Sequence, residues 1–466
     1  MAAANLPAVI APLRYDRRQI IAGVAHIGVG AFHRAHQLDY FDDLLAAGAT
    51  DWGVRGISLR SNRAERALVP QDSLYVLDRR GRGGEDLALR GALMAVQTAG
   101  EDVRVILRTL AEPEIALVTL TLTEKAYVPE PDDFATQAAP TSAIGYLTLA
   151  LALRRALELE PFTVISCDNL SRNGDATRAL VLGAARSLDP RLADWIDERG
   201  AFPKSMVDRI TPATTDADRA RFTAATGIED LALTVTEPFR QWVIEDRFAG
   251  ARPPLEEVDV EIVDDVAPWE AAKLRLLNAA HSTLAWTGLL VGLRYVHEAI
   301  ADPAIRAFVE RLWDEASEAL PRAGGPDLAR YRADLLDRFD NPALPHSLLQ
   351  IAADSSRKLP PRLLAGLAER QARGQASPAL TTAVAAWISL QRGTDDAGAP
   401  VEIADPAMAD LGPRLAAAPT AEAMVSLALG ARDIFPAALA DDSVFKTALA
   451  QQLNGMLAEG VRRAIA

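Results

Sequence analysis

A chain of 466 residues is too long for one simple core and indicates two or three domains. Its net charge of −14 disfavours nucleic acid or an anionic membrane surface as the main partner, although it leaves room for a local basic pocket. Cys167 is the only cysteine, which excludes an intrachain disulfide and a zinc site built from cysteines.

The N-terminal stretch is apolar, but it lacks the basic segment of a signal peptide and is interrupted by Pro7 and Pro12. No apolar run further along approaches the length of about 18 residues that a membrane-spanning helix needs. We therefore expect a cytoplasmic protein that binds neither a membrane nor nucleic acid.

The first strong local pattern is a β-type run over residues 20–27, followed by Gly28 and Gly30 and then by an apolar helical pattern from Phe32 onward. Strand, glycine turn and helix in this order are typical of a dinucleotide-binding βαβ unit. The glycines permit a tight turn and a close pyrophosphate, and the start of the helix offers free N–H groups to the phosphates.

Two histidines follow these glycines. His33 occupies the position of the third glycine of the dinucleotide fingerprint, and His36 comes three residues later. Imidazole is a common metal ligand, but no third ligand stands near these two in the sequence. We expect both to make surface or phosphate-side contacts, and we expect no metal site.

A second strand is predicted over residues 53–59, and its carboxyl end should meet the adenosine ribose. An acidic residue there would select NAD, whereas an arginine accommodates the 2′-phosphate of NADP. The residues present are Arg60, Asn62 and Arg63, without an acid. The choice between NAD and NADP therefore stays open, and the alternative is that these residues begin a solvated helix ending near Leu68.

Two later runs indicate strands buried on both faces of a parallel sheet. The first covers residues 114–123 and ends at Glu124, and the second covers residues 162–167 and is followed by Asn169. Polar residues at the carboxyl ends of such strands are where ligands of open α/β sheets bind. Asn169 is equally natural as a turn former or helix cap. Further strands are expected at 74–77 and 87–92, and helices at 142–159 and 176–188.

The second half of the chain shows mostly amphipathic helical patterns, for example at residues 305–320, 327–339 and 380–391. We expect a loop at residues 350–362, in which Arg357 and Lys358 precede two prolines that act as a stop. Before this half begins, Asp208 by itself suggests a helix-end or salt-bridge residue.

Residues 270–281 are the stretch with the most chemistry. In an α-helix, at about 100° per residue, four polar side chains would share one face, while Ala272, Leu276 and Ala279 would form an apolar stripe opposite. The four are Glu270, Lys273, Asn278 and His281. Burying an amine, an amide, an imidazole and a carboxylate together is too costly for idle packing, unless they line a wet cleft or a substrate. The alternative, with about equal weight, is a surface helix that happens to be polar.

Taken in order, several strings resemble the polyol-specific long-chain dehydrogenases, the group that contains mannitol 2-dehydrogenase and fructuronate reductase. They are GVGAFHRAH, TLTEK, SCDNL, MVDRITPAT, EPFRQWVIED, the lysine, asparagine and histidine of the 270–281 stretch, and SRKLPPR. The resemblance runs from about Ile21 to Arg362. It implies an α/β fold, with an extended Rossmann-type cofactor domain over residues 1–262 followed by a mainly α-helical C-terminal domain over residues 263–466.

The resemblance also implies roles for individual residues. Lys273 would be the general base, Asn169 and Asn278 would hold the reacting oxygen, and Glu270 would lie beside the lysine on a proton path. The substrate contacts would be His281, Asp208 and Lys358, and Gly28 and Gly30 would lie under the pyrophosphate. From their positions in the sequence, the further candidate cofactor contacts are Phe32, Arg60, Asn62, Arg63 and Glu124. Oxidation of an alcohol requires a base near neutral pH, and burial or a neighbouring cation is what makes a lysine one.

Two details bear on the substrate. Mannitol enzymes often carry an arginine eight residues before the lysine that matches Lys358, and here that residue is Gln350. The strings TEK and KLPPR look closer to fructuronate reductase, whose acid substrate needs a cation such as Arg357 or Lys358. We therefore expect an NAD(P)-dependent, metal-independent enzyme of D-mannonate and D-fructuronate.

Alternatives remain. D-mannitol and D-fructose, or another hexitol or pentitol, are the close ones. A non-catalytic nucleotide-binding regulatory protein is an alternative of another class, although the base and both amides are present. A zinc-type polyol dehydrogenase is disfavoured by the single cysteine and the scattered histidines. We expect a monomer or a small homo-oligomer that binds a sugar alcohol or a sugar acid.

Overall fold

The computed structural model describes residues 6–99, 103–122, 124–127, 140–321 and 323–466, with 124 and 125 described by their backbone alone. The chain divides into two compact units, Met1–Ala267 and Pro268–Ala466. None of the helices in these described ranges combines the length and the apolar character that crossing a bilayer requires.

The first unit is organised around a five-stranded sheet in which every neighbouring pair is parallel. Its strands are β2 (Val24–Ile27), β3 (Val54–Ser58), β6 (Leu93–Thr98), β7 (Leu117–Leu120) and β8 (Thr163–Ser166). Their spatial order is β6-β3-β2-β7-β8, so the chain first winds outward in one direction from β2 and then in the other from β7. This reversal is the switch point at which open α/β sheets bind ligands.

Both faces of this sheet are covered, which fits strands that are rich in apolar and β-branched residues. Val24 and Ile165 belong to a core cluster that includes Phe41. Ala25 and Val164, one position along each strand, belong to a second cluster that includes Leu147. Alternate side chains therefore enter opposite layers of helices, as the period of two along a strand requires.

The remaining strands of this unit form two small mixed sheets. One has the order β1-β5-β4-β10, and the other has the order β12-β11-β9. Their strands are β1 (Ile10–Ala11), β4 (Tyr75–Gly81), β5 (Gly84–Arg90), β9 (Ser205–Asp208), β10 (Thr234–Thr236), β11 (Gln241–Glu245) and β12 (Glu261–Val263). The strands predicted near residues 74–77 and 87–92 exist, but they pair with each other as an antiparallel hairpin outside the main sheet.

The helices that begin in the first unit are α1 (Ala31–Ala35), α2 (Gln37–Ala46), α3 (Arg63–Leu68), α4 (Arg104–Leu110), α5 (Ala143–Ala156), α6 (Asn173–Leu188), α7 (Pro190–Arg199), α8 (Asp216–Thr226) and α9 (Ala267–Ala272). Short 3₁₀ turns lie at Arg17–Gln19, Val69–Gln71, Glu124–Tyr127 and Leu255–Val258. The helices predicted at 142–159 and 176–188 are confirmed as α5 and α6. Cys167, directly after β8, is buried.

The second unit consists of helices in its described residues, with only isolated β-bridges. They are α10 (Ala279–Leu290), α11 (Val296–Ala301), α12 (Pro303–Glu318), α13 (Leu328–Phe339), α14 (Leu348–Ala352), α15 (Ser355–Leu359), α16 (Ala365–Ala372), α17 (Pro378–Leu390), α18 (Leu411–Ala416), α19 (Ala421–Leu429), α20 (Ala437–Ala440), α21 (Ser443–Glu459) and α22 (Val461–Ala464), with π-helices at Lys273–Asn278 and Pro360–Leu364 and a 3₁₀ turn at Pro406–Ala409.

Two helices, α10 and α17, form the centre of this unit. Every residue of α10 is buried, as is every residue of α17 after its first proline. A helix that is apolar all round is stable only when other helices surround it. The helices predicted at 305–320, 327–339 and 380–391 are confirmed as α12, α13 and α17, but α17 is buried on all sides and is not amphipathic as expected. The expected fold class, a Rossmann-type unit followed by a mainly helical one, is therefore confirmed.

Candidate active site

The glycine turn after β2 has the backbone that a dinucleotide requires. Gly28 has a φ of +107°, and a Cβ atom there would lie 2.0 Å from the carbonyl oxygen of Thr121. The hydroxyl of Thr121 donates to the carbonyl of Gly28 at 2.7 Å, which joins the ends of β2 and β7. At Gly30, a Cβ atom would meet nothing closer than an oxygen at 3.8 Å, so the space above the turn is open. The turn lies at the switch point and fits a pyrophosphate.

The expectation for His33 and His36 is wrong. His33 is fully buried, and its ring stacks on that of His26 at 3.3 Å between centroids. His36 is also fully buried, with Nε2 2.8 Å from the carbonyl of Gln241. Burial lowers the pKa of His26 and of His36 to about 3 and that of His33 well below its usual value. These rings are neutral packing groups beneath the turn, because helix α1 turns them inward towards the sheet.

The residues after β3 are placed as a cofactor-selecting loop would be. Arg60, Asn62 and Arg63 are exposed at its carboxyl end, and Asn62 caps α3 without a side-chain bond. Phe32 is half-buried and stacks on His36 at 5.0 Å. The side chain of Glu124 lies outside the described part of the chain.

The loop after β8, which carries Asn169, is held by a residue that the sequence analysis missed. The Asn173 side-chain amide donates to the carbonyls of Ser166 and Ser205 at 3.0 and 2.8 Å. Its oxygen accepts the N–H groups of Gly174 and Ser205 at 2.8 and 3.1 Å. Asn173 therefore ties the end of β8 to the start of β9. Asn169 itself lies in the exposed bend between them.

Asp208 is the last residue of β9 and is buried, so the expectation of a helix end is wrong. Its neighbour Arg209 donates to the carbonyls of Ala35 and Glu237 and to the carboxylate of Asp39. Burial by itself would raise the pKa of Asp39, but surrounding arginines hold it well below the usual range. This buried ion network fixes the strand end that carries Asp208.

In the second unit, the stretch expected to be one regular α-helix changes its geometry at its polar residues. Lys273–Asn278 form a π-helix, in which the N–H of Ala279 donates to the carbonyl of Leu274, five residues back. An α-helix would separate Lys273 and Asn278 by roughly 140°, whereas the wider turn places them about one turn apart. The apolar stripe of Ala272, Leu276 and Ala279 is buried as expected.

The polar residues of this stretch are enclosed, which disfavours a freely solvated surface helix. Glu270, Lys273 and Asn278 are half-buried, and His281 is buried. Nε2 of His281 has no hydrogen-bond partner in the described residues. Burial and the nearby His346, Arg338, Arg362 and Lys273 keep the pKa of His281 well below its usual value. A neutral imidazole with an unused buried nitrogen fits a ligand hydroxyl.

The loop expected at residues 350–362 is instead helical, and the two prolines do not stop it. They occupy the first two positions of the second π-helix, Pro360–Leu364, where a backbone N–H has no partner within the helix and a proline is tolerated. The N–H of Ala365 donates to the carbonyl of Pro360, five residues back. Nζ of Lys358 donates to the carbonyls of Ile351 and Ala353 at 3.2 and 2.5 Å.

The other two cations of this segment differ in exposure. The side chain of Arg357 is 76% exposed. Arg362, which the sequence analysis missed, is largely buried and donates to the carbonyl of Asn278 at 3.3 Å and to the hydroxyl of Ser282 at 2.9 Å. It therefore links the two π-helices. The only sequence signal for it was its spacing of four residues from Lys358.

The predicted residues thus form one group in each unit. The first unit places Gly28 and Gly30 at the switch point, where Gly28 lies against Thr121, a residue that the sequence analysis did not name. The second brings Lys273 and Asn278 together on one helix that also carries His281. Across the described ranges, no three or more side chains of His, Cys, Asp or Glu are grouped as metal ligands.

Comparisons with known proteins cover both units. Residues 22–257 match the model of the mannitol dehydrogenase Rossmann domain, and residues 265–457 match that of the mannitol dehydrogenase C-terminal domain. The mannitol 2-dehydrogenase of Phaeosphaeria nodorum is 37% identical, over 97% of this chain and 82% of that protein. The D-mannonate oxidoreductase of Escherichia coli is 36% identical, over 99% of this chain and 98% of that protein.

Among solved structures, the mannitol 2-dehydrogenase of Pseudomonas fluorescens, in a ternary complex with NAD and D-mannitol, superposes with a TM-score of 0.84 at 33% identity. The match covers 99% of this chain and 97% of that one. Both units, in their order and nearly to their full length, are thus accounted for, and the resemblance seen in the sequence is confirmed. The chain belongs to the mannitol dehydrogenase family of oxidoreductases.

Proposed function

We propose that this protein interconverts a secondary alcohol and a ketone in an open-chain six-carbon sugar derivative, with NAD as the hydride acceptor. The observation that carries the proposal is the π-helix, which places Lys273 and Asn278 about one helical turn apart. His281 follows one turn later, and its Nε2 has no hydrogen-bond partner in the described residues. The Gly28 turn, where only glycine fits, supports a dinucleotide. NAD, when bound, would accept the hydride from the substrate carbon.

In this proposal Lys273 is the general base. Its uncharged amine takes the hydroxyl proton while the C–H bond is lost as hydride, so that the alcohol carbon becomes a carbonyl. The amides of Asn169 and Asn278 donate to the oxygen on which negative charge develops, and one such donor contributes about 3–4 kcal/mol in comparable sites. Glu270, one turn before the lysine, passes the proton on towards solvent.

The remaining candidates bind substrate hydroxyl groups in the proposal. His281 is held neutral by burial and offers Nε2. Asp208 ends a strand that is fixed by the Arg209 network. Lys358 supplies a cation, whereas Arg357 is too exposed to contribute much.

For the substrate, we propose D-mannonate and D-fructuronate. The similarity to a D-mannonate oxidoreductase over nearly the full chain supports this choice, as does the neutral, exposed Gln350 in place of an arginine. D-mannitol and D-fructose are the second candidate, because relatives named mannitol 2-dehydrogenase are equally similar. The absence of an acid at Arg60–Arg63 leaves NADP as the second candidate cofactor.

A panel assay tests the proposal. The purified protein is mixed with NAD⁺ or NADP⁺ and with D-mannonate, D-mannitol or another hexitol, and the absorbance of the reduced nicotinamide is followed. We expect the highest kcat/KM with D-mannonate and NAD⁺. A preference for D-mannitol would support the second candidate, and no turnover with any pair would favour a non-catalytic nucleotide-binding protein.

A further inference from the structure

Two neighbouring cations of the second unit, Lys358 and Arg362, have no carboxylate partner in the part of the chain that the structure describes. Two other arginines of the same unit that are at least as enclosed do have one. Arg275 pairs with Glu369 at 2.5 Å, and Arg370 pairs with Glu318 at 2.7 Å. Arg362 bonds only to a backbone carbonyl and a hydroxyl. Lys358 bonds only to two backbone carbonyls.

The lack of a counter-charge matters most for Arg362, because it is largely buried. Burial lowers its pKa to about 10, which leaves the guanidinium charged at neutral pH. An enclosed charge without a partner is costly, so a fold retains it where a ligand supplies the opposite charge. Lys358 does not reduce this cost, since two like charges repel. Burial, followed by Arg362, lowers the pKa of Lys358, and the more distant carboxylates of Asp354 and Asp405 oppose this only in part.

The position of Arg362 indicates which anion it meets. Its Nη1 contacts the backbone of Asn278, and its charge acts on His281, so it lies beside the two residues proposed to hold the substrate chain. A guanidinium presents a planar fork of N–H groups that matches a carboxylate. Nη1 makes one bond to the first π-helix, at Asn278, and one to α10, at Ser282, and the rest of the fork makes no bond within the described residues.

We infer that Arg362 binds the carboxylate of a sugar-acid substrate and is the residue that selects an acid over a neutral polyol. This inference rests on the proposed function, since it takes the substrate chain to lie along Asn278 and His281. Lys358 contributes a second positive charge to the same subsite.

The test compares two substrates that differ at one end. D-mannonate carries a carboxylate where D-mannitol carries a hydroxymethyl group. In Arg362→Gln we expect KM for D-mannonate to rise by about ten- to a hundredfold, the range for a lost hydrogen bond to a charged group. The KM or inhibition constant of D-mannitol should change less than threefold. Arg362→Lys, which keeps the charge, should recover part of the loss, and Arg373→Gln, on an exposed arginine, serves as the matched control.

A purely structural role gives a different result. If Arg362 only joined the two π-helices, both substrates would be affected equally and kcat would fall with either, which would overturn the inference. So would a wild-type protein that turns over D-mannitol but neither turns over nor binds D-mannonate. If the wild-type protein turned over nothing, the proposed function would fail. Calorimetry of D-mannonate and D-mannitol binding to the wild type, Arg362→Lys and Arg362→Gln would still show whether Arg362 binds the carboxylate.

Discussion

At the scale of single residues, the side chains proposed to carry the chemistry could be selected from the sequence, but the residues that hold them could not. Lys273, Asn278 and His281 were found because polar groups stood in an apolar helical pattern. Asn173 and Arg362 were missed because an asparagine in a turn or an arginine after prolines is common, and only their bonds set them apart. His33 was predicted to lie at the surface because its burial depends on stacking against His26, a tertiary contact that the local sequence pattern does not show.

Replacement of the proposed base gives the most direct test at this scale. Lys273→Met keeps the volume of the side chain but cannot take a proton, so we expect turnover to fall by about 10²–10⁴-fold at pH 7 with little change in the melting temperature. The readout is kcat with the substrate that the wild-type panel prefers. A well-folded variant with full turnover would remove Lys273 from the mechanism.

The two glycines of the turn should respond differently to alanine. Gly28→Ala meets a backbone oxygen at 2.0 Å with φ positive, so we expect a loss of about 2–4 kcal/mol in the free energy of unfolding. Gly30→Ala has room in the fold but fills the space above the turn, so its stability should be kept while KM for NAD⁺ rises about tenfold or more. Gly83→Ala, with nothing within 4 Å, is the control. Equal behaviour of the two variants would argue against a pyrophosphate at this turn.

At the scale of elements, strands and helices followed from apolar periodicity, and the departures have physical causes. A π-turn adds one residue without disturbing the buried stripe on either side, so the periodicity at 270–281 does not reveal it. The segment at 350–362 was predicted to be a loop because of its prolines. They are tolerated because they stand at the first two positions of a π-helix, where no N–H is needed. Asp208 was misjudged because β9 has only four residues.

Asn173 supplies the prediction at this scale, because it joins β8 to β9. Asn173→Ala loses the four hydrogen bonds described above and leaves buried backbone groups of Ser166 and Ser205 without them, so we expect a loss of about 2–4 kcal/mol in the free energy of unfolding by urea. Asn454→Ala, on an exposed helical position, should stay within about 0.5 kcal/mol. If the two variants were equally stable, the hydrogen bonds of Asn173 between β8 and β9 would contribute nothing measurable to the free energy of unfolding.

At the scale of the whole molecule, the sequence predicted an α/β unit followed by a helical unit, because strand patterns occur in its first half and helical patterns dominate its second half. The two small sheets were not predictable, because apolar and polar residues alternate too weakly in their strands to show which strands pair. Burial also sets how the molecule responds to pH. Five of its six histidines have a lowered pKa, which burial causes in each case.

A lowered pKa means that the unfolded chain binds protons which the folded chain refuses, so stability is full above the unfolded value of about 6.5 and is lost as pH falls. From pH 7.5 to 6, His26 and His36, each with a pKa of about 3, should each lower the free energy of unfolding by about 0.8 kcal/mol. The measurement is urea unfolding over this range. Asp42 and Asp78, whose pKa burial raises to about 6, act in the opposite direction at its acidic end, so the net decrease is smaller than the histidines alone would give.

The matched variant for this titration is His36→Gln, which keeps a donor for the carbonyl of Gln241. In this variant the free energy of unfolding should decrease less between pH 7.5 and 6, and the difference from the wild type should equal the contribution of one histidine. A free energy of unfolding that does not change between pH 7.5 and 6 would contradict the assignment of these rings as neutral.

The burial of Cys167 has a practical consequence. Because the sole thiol of the chain is shielded behind β8, and burial raises its pKa, maleimide reagents should leave the native protein unlabelled. A cysteine introduced at exposed Ser187 in the first unit and another at exposed Ser426 in the second would then take up fluorophores without any prior removal of native sulfur. Energy transfer between such dyes would follow, in solution and in real time, how the two halves of the molecule respond when nucleotide and sugar arrive.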